Sequence, residues 1–385
     1  MRIAKIEAIP VSVPYTHREL SSVVARDGVS DVLVRIESDD GRVGWGEACS
    51  GADTASVAAA VDAMAQMAAR RDPWQHDRLR ADLFHQGLWQ FRAGTGNFAY
   101  SGIEMALLDL CGQDADLPLY KLLGGLRRES VSYFFYLSRG SAEEIAAQCA
   151  AGAAQGFDVF YLKVGIDERA DIAMVAAARE ALGAEPRLRI DANAAWTPTQ
   201  AIRMLRAVAA YDIDFVEQPV SETPISALAE VRARSPIAVC ANEGLWSESD
   251  AYARIVSRQA DVYCFSPYWV GSLAIFQRLA HVAHLEALAV CKHTHGELGI
   301  AATACQHVLL TLPNVVDGNQ QTAHLMTADV VAAPLPIASG PNWGVPDGTG
   351  LGVTVDADAV QEANDRFRVE GQFLPWSREA QNRTG

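Results

Sequence analysis

The sequence predicts an α/β protein, a modified (β/α) TIM-type barrel with an N-terminal α+β capping domain. Three observations predict it. The chain opens on strands and then turns alanine-rich and helical; from about residue 126 short apolar runs alternate with amphipathic segments; and three acids recur at one fixed interval within that second part.

The opening, IAKIEAIPVSV, alternates with a period of two, and DVLVRIESDDGRVGWGEA reads as two strands around a turn at Asp39, Asp40 and Gly41. Helical spacing follows in TASVAAAVDAMAQMAARR and NFAYSGIEMALLDLCGQDA. LYKLLGG ends on Gly124 and Gly125, which reads as a helix C-terminus and closes a capping domain at residues 1–125. Residues 126–345 carry seven strand–helix units: VSYFFYL, DVFYLKVG, LRIDANAAW, DFVEQPV, IAVCANEG, DVYCFSP and ALAVCKHTHG each precede a helical segment. Each unit occupies about 25–30 residues and no phosphate-binding glycine fingerprint appears, so a closed parallel barrel fits better than an open sheet. PNVVDGNQQTAHLMTADVV is weaker and is expected to close the ring. The turn-rich residues 346–385 are expected to pack back on the cap.

Bulk properties narrow the function. The 385 residues are 50% apolar and 21% charged, ordinary for a soluble enzyme. A formal charge of −15 with no basic run excludes a nucleic-acid surface. No run is long and apolar enough to span a membrane, and the seven cysteines form no CxxC pair. A reduced cytoplasm, a small-molecule partner and an even-numbered homo-oligomer are the expectations.

In such a barrel the reactive groups stand at the C-terminal ends of the strands. Those ends supply Lys163, Asp191, Glu217, Glu243, Ser266 and His293. Glu217 and Glu243 each lie 26 residues after the acid before, one strand–helix unit apart. A single acid there ordinarily caps a helix. Three in phase repel one another unless a cation joins them, and oxygen ligands suit a hard divalent ion such as Mg²⁺. Asn193, two residues after Asp191, shares its face and is a second polar group for the site or a helix cap. Lys163 is expected to act as a base, its pKa lowered by burial and a nearby cation. His293 falls across the ring from it, and His295 shares its face. Arg26, in a cap segment at residues 16–28 read as a loop, is a candidate for a distal substrate group. Residues 49–54 form a second such loop, and Trp246 is a candidate wall of the site.

GWGEA, GIEMALLDL, PLYKLLGG, the lysine before Val164 and Gly165, RIDANAAW, DFVEQPV, the glutamate of ANEG and the closing GLGVTVD together resemble the enolase superfamily, in its mandelate racemase and muconate lactonizing branch. The resemblance covers nearly the whole chain. It implies that Asp191, Glu217 and Glu243 hold Mg²⁺, that the ion binds a substrate carboxylate, and that a base removes the α-proton to give an enediolate. Two positions depart from the family pattern. The usual Lys-x-Lys is here Tyr161-Leu162-Lys163, which makes Tyr161 a candidate to bind substrate or donate a proton. Ser266 stands where members carry an aspartate or a second lysine, so His293 lacks its usual partner and is better suited to giving a proton than taking one. Lys163 as base with His293 as acid fits dehydration of a hydroxy or sugar acid; racemisation, epimerisation or lactonizing cycloisomerisation is the alternative. Two other classes are a hydrolase using His293 and His295 as ligands, and a non-catalytic metal-binding homologue.

Overall fold

The N-terminal strands are held by pairing across a long hairpin. In the computed structural model, which describes residues 1–49, 53–88, 90–91 and 93–374, β1 (Ile3–Leu20) runs antiparallel to β2 (Ala25–Ser38), and β2 to β3 (Val43–Ala48). β1 is an edge strand, which is why it accommodates Pro10 and Pro14. The ladder reaches Leu20 and Ala25, so most of the expected loop at residues 16–28 is strand instead. Charge pairing across the hairpin accounts for this: Arg26 meets Glu19 at 2.6 Å and Arg18 meets Asp27 at 2.8 Å. Of the other expected cap loop, residues 50–52 lie outside the described residues.

Two helices, α1 (Thr54–Ala68) and α3 (Thr95–Ala115), cover this sheet, and α2 (His76–Gln86) packs on them. α3 is buried on nearly every side, which explains why GIEMALLDL is apolar all round the helix apart from the buried acids Glu104 and Asp109. Its fit on β3 requires glycine in GWGE. A Cβ on Gly46 would stand 1.9 Å from the Gly102 carbonyl oxygen, and one on Gly44 2.2 Å from that of Ala106.

A short α4 (Leu119–Leu122) leads into β4 (Val131–Ser132) and the barrel. Its strands and helices then alternate: β5 (Phe135–Leu137), α5 (Ala142–Ala154), β6 (Val159–Lys163), α6 (Glu168–Leu182), β7 (Arg187–Asp191), α7 (Pro198–Val208), β8 (Ile213–Glu217), α8 (Ala227–Arg234), β9 (Ala238–Ala241) and α9 (Glu248–Val256). β10 (Val262–Phe265), α10 (Pro267–Val270), α11 (Leu273–Leu285), β11 (Ala289–Lys292) and α12 (Gly299–Leu309) complete it. β5 to β11 form one parallel sheet in sequence order. Residues 314–320 close the ring: Val315 bridges Val290 on one side, and Asn319 bridges Tyr133 on the other. β12 (Asn342–Trp343) pairs with β4, and α13 (Ala357–Glu370) lies on β1, with Asn364 donating to the Pro10 carbonyl at 2.6 Å.

Buried acids of the cap dock it on the barrel by capping barrel helices. Glu47 accepts from the backbone N–H groups of Leu298 (2.7 Å) and Ala301 (2.9 Å) at the start of α12. Glu104 accepts from Leu273 N–H and the Ser272 hydroxyl at the start of α11, both at 2.5 Å. Orphan N–H groups and the positive end of a helix suit a carboxylate. Among the described residues no helix is long and apolar enough to cross a membrane.

Candidate active site at the barrel mouth

Alternation along β6 turns Tyr161 and Lys163 to the same face, and register sets Lys163 beside Asp191 and Asp191 beside Glu217. The Asp191 carboxylate is the hub. One oxygen accepts from Lys163 Nζ at 2.6 Å and from the Tyr161 hydroxyl; the other accepts from the Asn193 backbone N–H at 2.8 Å. Asn193 and Ala194 take left-handed backbone angles (φ 44° and 60°), a turn that asparagine tolerates. The turn folds Asn193 back over the site. Its Oδ1 accepts from Lys163 at 2.9 Å and its Nδ2 donates to Glu243 at 3.0 Å. Lys163 is further set by Arg139, which donates to its carbonyl at 2.9 Å and pairs with Asp171 at 2.6 Å.

Asp191 and Glu243 are thus linked through Lys163 and Asn193, while Glu217 stands beside Asp191 by strand register. Glu243 lies two residues beyond β9. Gln320 donates to Glu217 at 2.6 Å, leaving Glu217 Oε1 and Glu243 Oε2 buried with no partner. Burial first, then the charge of Asp191, pushes the Glu217 carboxyl well up and that of Glu243 up to about 7. Unpartnered buried oxygens on acids that repel one another fit a hard divalent cation. Burial pushes the Lys163 ammonium down, but Asp191, Glu19 and Glu217 together push it further up, so its net shift is upward. This corrects the expectation of a lowered lysine, which presumed a cation already beside it.

The opposite side is aromatic. His293 stacks on Trp269 (centroids 4.5 Å apart) and meets His295 edge-on at 4.8 Å; Trp246 lies 4.4 Å from Trp269. His293 Nδ1 and His295 Nε2 are buried without partners. Burial foremost, then the charges of His295, Lys163, Lys292 and Arg26, holds His293 well below the usual histidine range. Burial and the Arg26, Lys163 and Lys292 charges bring His295 down to about 3. These surroundings favour the neutral form of both rings at pH 7.

The two departures are occupied differently from expectation. The Tyr161 hydroxyl is committed to Asp191, and burial and that acid raise it well above its ordinary value, which suits orienting Asp191 and not proton donation. The buried Ser266 hydroxyl accepts from the Trp269 N–H at 3.4 Å and caps α10. Arg26 is buried in its pair with Glu19, not free in a loop.

Sequence reasoning missed Gln320, Lys292 and Glu297. Glu297 accepts from Lys292 (2.7 Å), the Tyr268 hydroxyl (2.8 Å) and Thr294, and Tyr268 accepts from His295 N–H at 2.7 Å, so this network holds the turn carrying both histidines. Two opposite charges within KHTHGE were the available signal. Gln320 lies in the weak ring-closing segment and had none.

Comparison with known proteins agrees with this architecture. The model described as "Enolase C-terminal domain-like" matches residues 144–359, and "Mandelate racemase / muconate lactonizing enzyme, N-terminal domain" matches residues 5–124. The chain belongs to the enolase superfamily, in its mandelate racemase and muconate lactonizing branch. It is 33% identical to D-galactarolactone cycloisomerase of Agrobacterium fabrum, over 87% of this chain and 92% of that one. An enolase from Streptomyces coelicolor, solved without Mg, superposes with a TM-score of 0.89 at 27% identity, covering 96% and 99% of the two chains. A dipeptide epimerase of Enterococcus faecalis complexed with Mg and L-Leu-L-Tyr gives 0.85 at 25%, covering 92% and 100%. As a member of this superfamily the chain is an enzyme, in a family of cycloisomerases and epimerases whose members bind Mg²⁺.

Proposed function

We propose that the enzyme removes the α-proton of a carboxylate substrate with Lys163 and expels an oxygen from the β-carbon, and that its substrate is a sugar-acid lactone. The observation that carries this reading is the asymmetry of the site. A lysine wired into the acid cluster stands on one side, and a neutral His293 without a carboxylate partner on the other.

Asp191, Glu217 and Glu243 are the residues to hold Mg²⁺, supported by the two unpartnered oxygens. When bound, the ion offsets their repulsion and stabilises the negative charge that develops on the substrate carboxylate. Lys163, as the free amine, takes the α-proton. The electron pair of that C–H bond forms the carbon–carbon double bond, and the β C–O bond breaks with its pair remaining on oxygen. Tyr161 and Asn193 keep Asp191 oriented throughout, and the neutral His293 ring donates an N–H hydrogen bond, keeping its proton, to the departing oxygen.

The leaving group separates dehydration from ring opening. Hydroxide, whose conjugate acid has a pKa of about 15.7, leaves only with a competent acid beside it. A lactone releases a carboxylate, whose conjugate acid lies near 4 and which needs little protonation. A neutral histidine suits the second. The ring oxygen stays in the molecule, so the product is an isomer, consistent with likeness to a cycloisomerase. The enol then tautomerises to a 2-keto acid.

The test is turnover of aldaric acids and their lactones with Mg²⁺ in D₂O. Lactone consumption giving a 2-keto acid without loss of water, absent in Glu217→Gln, is expected. Loss of water from the open acids, with lactones inert, would make the enzyme a dehydratase instead. Inversion at the α-carbon with the β C–O bond intact would make it an epimerase.

A further inference from the structure

One layer below the carboxylates the barrel is lined by sulfur. Cys240, Cys264 and Cys291 stand on the consecutive strands β9, β10 and β11, with Cys264 and Cys291 paired in register. All three are buried and belong to one interior cluster with Phe215 and Val262. The ligand atoms of Glu217, Cys240 and Cys264 lie within 4.8 Å of one another. Gln320 Nε2 ties them together, donating to Glu217 at 2.6 Å and to Cys264 Sγ at 3.2 Å. Glu217 is fully buried and keeps one oxygen with no partner. Two sulfurs about 2.3 Å from a tetrahedral ion stand under about 4 Å apart, so only small side-chain shifts separate this cluster from a coordination shell.

We propose that Cys240, Cys264 and Glu217, with Cys291 beside them, form a binding site for a thiophilic d¹⁰ cation such as Zn²⁺ or Cd²⁺, beneath the oxygen site and sharing Glu217 with it. Thiolates select soft ions over Mg²⁺, so the two layers discriminate by ligand chemistry. Each thiol that ligates releases its proton to solvent, and no redox change is involved. A cation held there draws Glu217 away from Asp191 and Glu243. The enzyme is therefore inhibited by soft metals acting from below its site. The existence of the sulfur site stands on these contacts alone; competition with Mg²⁺ rests on the reading of Glu217 given above.

The test is titration of the purified full chain with Cd²⁺, followed by the ultraviolet charge-transfer absorption of cadmium–thiolate bonds, with metal content measured after gel filtration. One tightly held Cd²⁺ with that band is expected in the wild type. Cys264→Ser and, as a milder change, Cys240→Ala, each checked for native circular dichroism, are expected to lower Cd²⁺ affinity at least tenfold. A band unchanged in both folded variants, or none in the wild type, overturns the site. Excess Mg²⁺ is expected to weaken Cd²⁺ binding. A thiol-dependent band indifferent to Mg²⁺ would keep the sulfur site and refute the sharing of Glu217.

Discussion

The two sides of the barrel mouth are built from opposite materials. On β6, on β7 and in the turn after it, the polar groups of the site are tied to one another: Lys163 to Asp191 and Asn193, Asn193 to Glu243, Tyr161 to Asp191. On β10 and β11 the histidines sit in an aromatic cage, with ring nitrogens that no side chain meets. Ionic and hydrogen-bonded contacts set Lys163 on the first side, while burial against aromatic rings sets the two histidines on the second. The two halves of a proton-transfer site need not be equivalent: burial and neighbouring cations hold His293 low, while the acids around Lys163 override its burial.

The largest effect comes from breaking the charged side. Lys163→Ala is expected to lower turnover about 10³-fold, in the range of a lost general base, with Mg²⁺ binding retained. A kcat within tenfold of wild type would assign the base elsewhere. Tyr161→Phe removes only a bond that orients Asp191, and is expected to weaken Mg²⁺ affinity about 10–100-fold, read by calorimetry. Unchanged affinity would return Tyr161 to a role toward substrate.

Ser266→Asp sharpens the comparison by making the sides alike. An aspartate still caps α10, and its charge favours the imidazolium, so the His293 titration followed by NMR should rise by about one unit or more. No movement would show that the ring lies out of reach of position 266.

The smallest effects are on stability, and they carry opposite signs. His293 and His295 have folded pKa values below the ordinary 6.5, His295 at about 3. The stability they contribute is present above 6.5 and is lost as pH falls through that value toward the folded ones. Glu243 is raised from 4.5 to about 7, so its contribution is present below 4.5 and is lost as pH rises toward 7. The unfolding free energy from urea titration without Mg²⁺ should fall on both flanks, by on the order of 1–3 kcal/mol. Mg²⁺ is expected to restore the alkaline flank only. Recovery of the acid flank by Mg²⁺ would place the ion among the histidines.

Legibility followed the same division. The strand order and the recurrence of three acids at strand ends were readable because each rests on a repeat: period two along strands, and a 26-residue interval between Asp191, Glu217 and Glu243. Lys163, Asp191 and Asn193 meet as their positions in adjacent strands suggested. What failed to show was interaction at long range without periodicity. Gln320 meets Glu217 across 103 residues, and Glu47 caps a helix 251 residues away. Arg26 read as loop because Glu19, its partner, lies across a hairpin whose turn carries no glycine. The lysine pKa was misjudged for a physical reason: the acids raise it until a cation competes for them.

The most direct test of the asymmetric site is solvent deuterium exchange at the substrate α-carbon in Lys163→Ala and His293→Asn, followed by NMR beside product formation. Lys163→Ala is expected to abolish exchange and product together, while His293→Asn still exchanges the α-proton and slows product by about 10²-fold. Loss of exchange in His293→Asn with exchange persisting in Lys163→Ala would reverse the two roles and contradict the account.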